Sequence, residues 1–77
     1  MKIEVLGTGC TKCQTLTLNV KEAVAKKGIF AQIEKVEDIM QIMSYGVTST
    51  PALVVDGQVV SSGKLLSVDE IVELLGQ

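Results

Sequence analysis

The apolar pattern of this chain changes period twice within its first thirty-five residues, from strand to helix and back, and that forces two parallel strands. Ile3–Leu6 is a short, mostly apolar run that ends at Gly7-Thr8-Gly9. From Cys10 the period becomes helical. Cys13, Leu16, Val20, Ala23, Val24 and Lys27 share one stripe, with Lys12, Thr15, Asn19, Glu22 and Lys26 on the opposite face. Lys26 and Lys27 suit the negative end of the helix dipole, and Gly28 supplies the left-handed residue that stops it. Over Ile29–Lys35 the chain alternates, with Ile29, Ala31 and Ile33 set against Phe30, Gln32 and Glu34. Two strands joined through a helix run parallel, with a right-handed crossover.

The remaining elements follow from local signals. Glu37-Asp38 opens a short second helix carrying Ile39, Ile42 and Met43, and Gly46 closes it. Leu53-Val54-Val55 and Val59-Val60 flank Asp56-Gly57, a tight-hairpin signal because both turn residues tolerate positive φ. Ser67 and Glu70 form a capping box, Leu66 and Ile71 occupy the staple positions, and Val68, Ile71, Val72 and Leu75 make the apolar stripe of a last helix. The order is βαβαββα, read as one domain over 1–77.

Composition narrows the chemistry. With 47% hydrophobic residues and balanced charge the chain is not a disordered tail, and a net charge of −2 with scattered lysines gives no footprint for nucleic acid. No apolar run approaches the ~20 residues of a membrane span, and Glu4 interrupts any signal-peptide core at the N-terminus, so a cytoplasmic protein is expected; the chain is also expected to be a monomer. There is no His, Arg or Trp. Serine or cysteine catalysis with a histidine base is therefore excluded.

What remains is Cys10-Thr11-Lys12-Cys13, which holds both cysteines. As a structural staple it is poorly placed: closing so short a loop contributes roughly 2 kcal/mol, against ~4.7 for a hundred-residue loop. As a redox dithiol it has a direct physical basis. A cysteine at a helix N-terminus meets unpaired N–H groups and the positive end of the dipole, which favour thiolate over thiol. Cys13, one turn in and on the apolar stripe, would be the buried, resolving thiol, and Lys12 adds a positive charge nearby. As a metal clamp, two thiolates could hold copper(I), whereas a closed zinc site would need two further ligands.

Residues 45–51, Tyr-Gly-Val-Thr-Ser-Thr-Pro, precede the apolar Ala52–Val55 and the Asp-Gly hairpin. With the Cys-x-x-Cys pair and the element order, this resembles the thioredoxin superfamily, most closely its short "small redox-active disulfide" members of archaea and bacteria. The resemblance implies an α/β fold with a four-stranded mixed sheet flanked by three helices. It implies a thiol–disulfide oxidoreductase with Cys10 attacking and Cys13 resolving, and no cofactor. Pro51 would be a cis-proline facing the pair, with Thr50 and Pro51 binding the substrate strand. Disulfide-containing proteins and an unidentified reductase would be the partners.

Several positions depart from the pattern. Thr-Lys stands between the cysteines, Gly9 replaces an aromatic, Thr8 replaces the glutaredoxin lysine, and Ser62-Gly63-Lys64 replaces a Gly-Gly segment. Glutathione is therefore a poorer substrate expectation than a protein disulfide. Glu4, six residues before Cys10, stands where thioredoxin carries a buried acid that could accept the Cys13 proton. The alternative is a small copper or heavy-metal domain, which also carries Gly-x-x-Cys-x-x-Cys. Such domains run βαββαβ and end on a strand, whereas Ser67 here caps a final helix.

Overall fold

The computed structural model describes residues 1–8 and 11–76. Its elements are β1 (Lys2–Leu6), α1 (Thr11–Lys27), β2 (Gln32–Val36), α2 (Ile39–Ser44), β3 (Ala52–Val55), β4 (Gln58–Ser62) and α3 (Val68–Leu75). The strands form one mixed sheet in the order β2-β1-β3-β4. β1 runs parallel to β2 and antiparallel to β3, and β3 pairs antiparallel with β4. This is the α/β architecture implied by the element order, and it ends on a helix, so the metal-domain topology is not the one adopted.

Period-two alternation in the central strands divides the interior in two. Ile3, Val5 and Leu53 pack with Leu16, Val20 and Ala23 of α1 and with Ile71 and Leu75 of α3. Leu6, Ala52 and Val54 point the other way, against Val36, Ile42 of α2 and Val47. Two helices thus cover one face and α2 the other. Each fully buried Leu, Ile or Val contributes about 1.5–3 kcal/mol, and the one aromatic packed against these clusters is the partly buried Tyr45. Phe30 is 99% exposed.

α1 buries Cys13, Leu16, Thr17, Val20 and Ala23. Thr17 joins the stripe because its hydroxyl donates to the Cys13 carbonyl at 2.9 Å and so is not buried unpaired. Asn19, expected on the solvent face, donates its side-chain amide to the Leu66 carbonyl at 2.9 Å and ties α1 to the segment before α3.

β2 is shorter than the alternation suggests. Lys2 is in register with Gln32, so Ile29–Ala31 lie beyond the end of β1 and have no ladder to join. Ile29 and Ala31 still pack on the core. α2 also departs from expectation: Ile42 is its buried residue, while Ile39 and Met43 are 59% and 64% exposed. Six residues make fewer than two turns at 3.6 per turn, too few for a stripe. The hairpin turn has Asp56 at φ 51 and Gly57 at φ 83, as a primed turn requires. Beyond it Leu53 pairs with Ser61 and Val54 with Val59, leaving Val60 as the extra residue of a bulge. α3 carries both hydrogen bonds of the Ser67–Glu70 capping box.

Candidate functional site

At the carboxyl end of β1 the chain needs glycine for a packing reason. An alanine Cβ at Gly7 would overlap the Cys13 sulfur and lie 3.0 Å from Cys13 Cβ. The absence of a side chain at Gly7 is what lets the first turn of α1 sit directly on the strand end. Cys13 is there 5% exposed. Gly7 donates its N–H to the Val36 carbonyl at 3.0 Å, continuing the parallel ladder to the last residue of β2.

On the other side of β1 the register pairs Leu6 with Ala52. One step further places Gly7 beside Pro51. The sulfur of Cys13 therefore lies against a glycine whose neighbour across the sheet is the proline singled out by the sequence. The Thr50–Pro51 peptide bond is cis. Pro51 is buried, while Thr48, Ser49 and Thr50 before it are exposed. The loop is held from behind by β4: Gly63 donates its N–H to the Pro51 carbonyl at 2.9 Å, and a Cβ on Gly63, at φ 70, would stand 2.9 Å from Ser49 Cβ.

A cavity of about 60 Å³ opens beside the Cys13 side chain, between Gly7, Thr17, Lys35 and Glu37. Lys35 and Glu37 are exposed, so the cavity runs from a buried sulfur to a wet, charged rim. Lys12 lies exposed on α1. Cys10, with Gly9, lies outside the described residues. Among the described residues no three Cys, Asp or Glu side chains converge as a metal ion would need, and no helix is long and apolar enough to cross a membrane.

Glu4 is buried at 8% exposure. It shares the parity of Leu6 and faces the α2 side of the sheet, whereas Cys13 packs on the α1 side with Gly7. Its carboxylate oxygens accept from the Tyr45 hydroxyl at 2.8 and 2.9 Å. That bond, with desolvation and the Glu4 and Glu34 charges behind it, holds the Tyr45 phenol above its ordinary pKa. Glu4 has the offset from the cysteines at which an acid was expected, and its strand parity is that of Leu6. Lys35 and Glu37, which line the cavity beside Cys13 with Gln14 and Thr17, follow α1 by many residues. The clue to them was the parallel pairing of β1 and β2, which brings the end of β2 beside Gly7.

The family model described as "Thioredoxin domain" matches residues 1–76. The chain is 44% identical over 75 residues to a thioredoxin of Methanothermobacter thermautotrophicus, covering 97% of each chain. It is 45% identical over 73 residues to a thioredoxin of Methanocaldococcus jannaschii, covering 95% of this chain and 84% of the relative.

Proposed function

The chain belongs to the thioredoxin family, and from that premise we propose that it is a cytoplasmic dithiol–disulfide oxidoreductase acting on protein disulfides through Cys10 and Cys13. The observation that carries this reading is the position of Cys13, buried against Gly7 at the carboxyl end of β1, one register step from Pro51. In the sequence Cys10 precedes Thr11, the first residue of α1. The unpaired N–H groups and positive dipole end of a 17-residue helix favour a thiolate there, and Lys12 adds to the field.

In the proposed reaction the Cys10 thiolate attacks one sulfur of a substrate disulfide. That S–S bond breaks, the distal sulfur leaves with the electron pair, and Cys10 is joined to the substrate. The Cys13 thiolate then attacks the Cys10 sulfur, forming the Cys10–Cys13 disulfide and releasing the second substrate thiolate. Two electrons have passed to the substrate, and a reductase with its own dithiol or equivalent donor must return them. Thr50 and Pro51 form the platform: the exposed backbone before β3 is open to an added substrate strand, while Gly63 holds the Pro51 carbonyl from the far side.

The test is chemical. In the reduced protein one cysteine, Cys10, should alkylate rapidly below pH 8 and Cys13 far more slowly. Cys10→Ser should abolish reduction of a protein disulfide driven by dithiothreitol, and Cys13→Ser should accumulate mixed disulfides. Equal alkylation of the two thiols together with undiminished reduction by Cys10→Ser would refute the assignment.

A further inference from the structure

We propose that Tyr45 and Glu4 are positioning residues: the bond between phenol and carboxylate fixes the start of the segment that carries Thr50 and Pro51, and so presents that backbone to a polypeptide disulfide. This deepens the function proposed above and rests on it. The two side chains act through the segment between Tyr45 and Pro51 and not by touching the substrate.

The need for such a tie follows from how lightly α2 is held. Ile42 is its buried residue, and the others are exposed. A helix of six residues is not stable alone and depends on its contacts. Tyr45 caps it, donating its N–H to the Ile42 carbonyl at 3.2 Å, and Gly46 at φ 78 then turns the chain away. Val47 returns to the second core cluster, Thr48, Ser49 and Thr50 are exposed, and Pro51 is buried. The far end of this segment is fixed by β3 and by the Gly63 N–H on the Pro51 carbonyl. At the near end Ile42 and Val47 supply apolar burial, which has no direction. The directional contact is the phenol, donating to the Glu4 oxygens at 2.8 and 2.9 Å.

Glu4 makes a firm anchor. It lies in the central strand, in register with Glu34 of β2 on one side and Val54 of β3 on the other. Its carboxylate is largely removed from water, and a bond to an ionised acceptor is roughly twice as strong as a neutral one. The titratable groups around the phenol are Lys2 and Glu4 of β1 and Glu34 and Lys35 of β2, while Gln41 and Ser44 of α2 carry no charge. Lys2 lies 3.7 Å from Glu34. An ionised phenol would face both carboxylates, so the tie is made by the neutral phenol and released in alkali. The bond to Glu4 holds the phenol above its ordinary value of 10.0, which keeps the tie in place through neutral pH.

Deuterium uptake reads the tie without any thiol chemistry. Tyr45→Phe and Glu4→Leu should each speed uptake at the Val47, Thr48, Ser49 and Thr50 amides roughly three- to tenfold, while the amides of β1 and β3 keep their rates. Glu4→Gln retains an acceptor for the phenol and should stay near wild type. In turnover, Tyr45→Phe should lower kcat/KM for insulin disulfides about three- to tenfold, chiefly through KM, because a looser segment must be ordered when a polypeptide docks. Hydroxyethyl disulfide, which has no backbone to dock, should be reduced at the wild-type rate. The insulin difference between wild type and Tyr45→Phe should close as pH rises through the phenol titration. Unchanged uptake at these amides in both Tyr45→Phe and Glu4→Leu, or equal losses on insulin and hydroxyethyl disulfide, would overturn the proposal. Failure of the wild-type protein to reduce either disulfide would instead refute the exchange function, with the uptake still reporting on the tie.

Discussion

Replacing Gly7 by alanine puts a methyl group into the space that the Cys13 sulfur fills. Gly7 has an ordinary backbone conformation, so the substitution adds no φ strain and isolates the packing effect. Two contributions oppose each other. Loss of glycine's freedom in the unfolded chain stabilises by about 0.4–1 kcal/mol. Forcing a methyl into a filled space costs about 1–3 kcal/mol, because the sulfur, or the whole first turn of α1, must move. The net is a destabilisation of about 1 kcal/mol, which lowers Tm by roughly 4–8 °C in a domain of this size. The assay is a double-mutant cycle by thermal or urea unfolding, with Gly7→Ala and Cys13→Ala made singly and together. Removing the sulfur takes away the atom that the new methyl overlaps. The double variant should then be more stable than the sum of the singles by about 1–2 kcal/mol. Native-state alkylation of Cys13 should accelerate in Gly7→Ala, since a displaced sulfur loses its cover. Additivity of the two substitutions within ~0.3–0.5 kcal/mol would refute the contact.

Two further predictions concern pH. Tyr45 has its folded pKa raised by the bond to Glu4, so the stability it contributes is fully present below its unfolded value of 10.0 and is lost as pH rises through the folded value. The stability gap between wild type and Tyr45→Phe should hold through neutral pH and close above about pH 10; a gap that persists in strong alkali would disprove the linkage. Glu70 is held below its usual range, first by the Ser67 N–H and then by the Lys64 ammonium, so its contribution is present above the unfolded value of 4.5 and lost as pH falls through the folded value. Ser67→Ala should cost about 1 kcal/mol at neutral pH, and the Glu70→Gln penalty should vanish in acid, both read from urea midpoints.

Element types and their order were legible because each rests on interactions close in sequence. The Ser67–Glu70 capping box, the Asp56-Gly57 turn and the change of period in the first thirty-five residues are satisfied within a few positions, and all appear in the fold. What local pattern misjudged depends on partners distant in the chain. The start of β2 is decided by where β1 begins, and Asn19 leaves the solvent face because Leu66 presents a carbonyl to it. The site divides the same way. Cys13 as a buried residue follows from its place on the α1 stripe. Glu4 has the offset along the chain that an acid near the cysteines would have, while its bond to Tyr45, 41 residues away, has no local signal. Gly7 was visible only as a loop glycine, because nothing near it in sequence announces that a sulfur needs its missing side chain.

β1 sits in the middle of the sheet although it comes first in the chain, and this sets the route by which the sheet can be assembled. Ile3 pairs with Ile33 on one side and with Val55 on the other, separations of 30 and 52 residues. The first closure spans a single helix, so strand, helix and strand form one early unit with β1 exposed along its second edge. The hairpin of β3 and β4 closes locally through Asp56-Gly57, so short-range closure favours its forming before it pairs with that edge. Asp56 is positioned to catch it: its carboxylate accepts from the Lys2 N–H at 2.9 Å, and its own N–H donates to the Lys2 carbonyl at 2.8 Å. Loop-closure entropy rises only as the logarithm of length, so the second closure costs about 0.5 kcal/mol more than the first. During synthesis the unpaired edge of β1 waits for residues that lie more than half the chain away, and docking of the hairpin is the event that removes it.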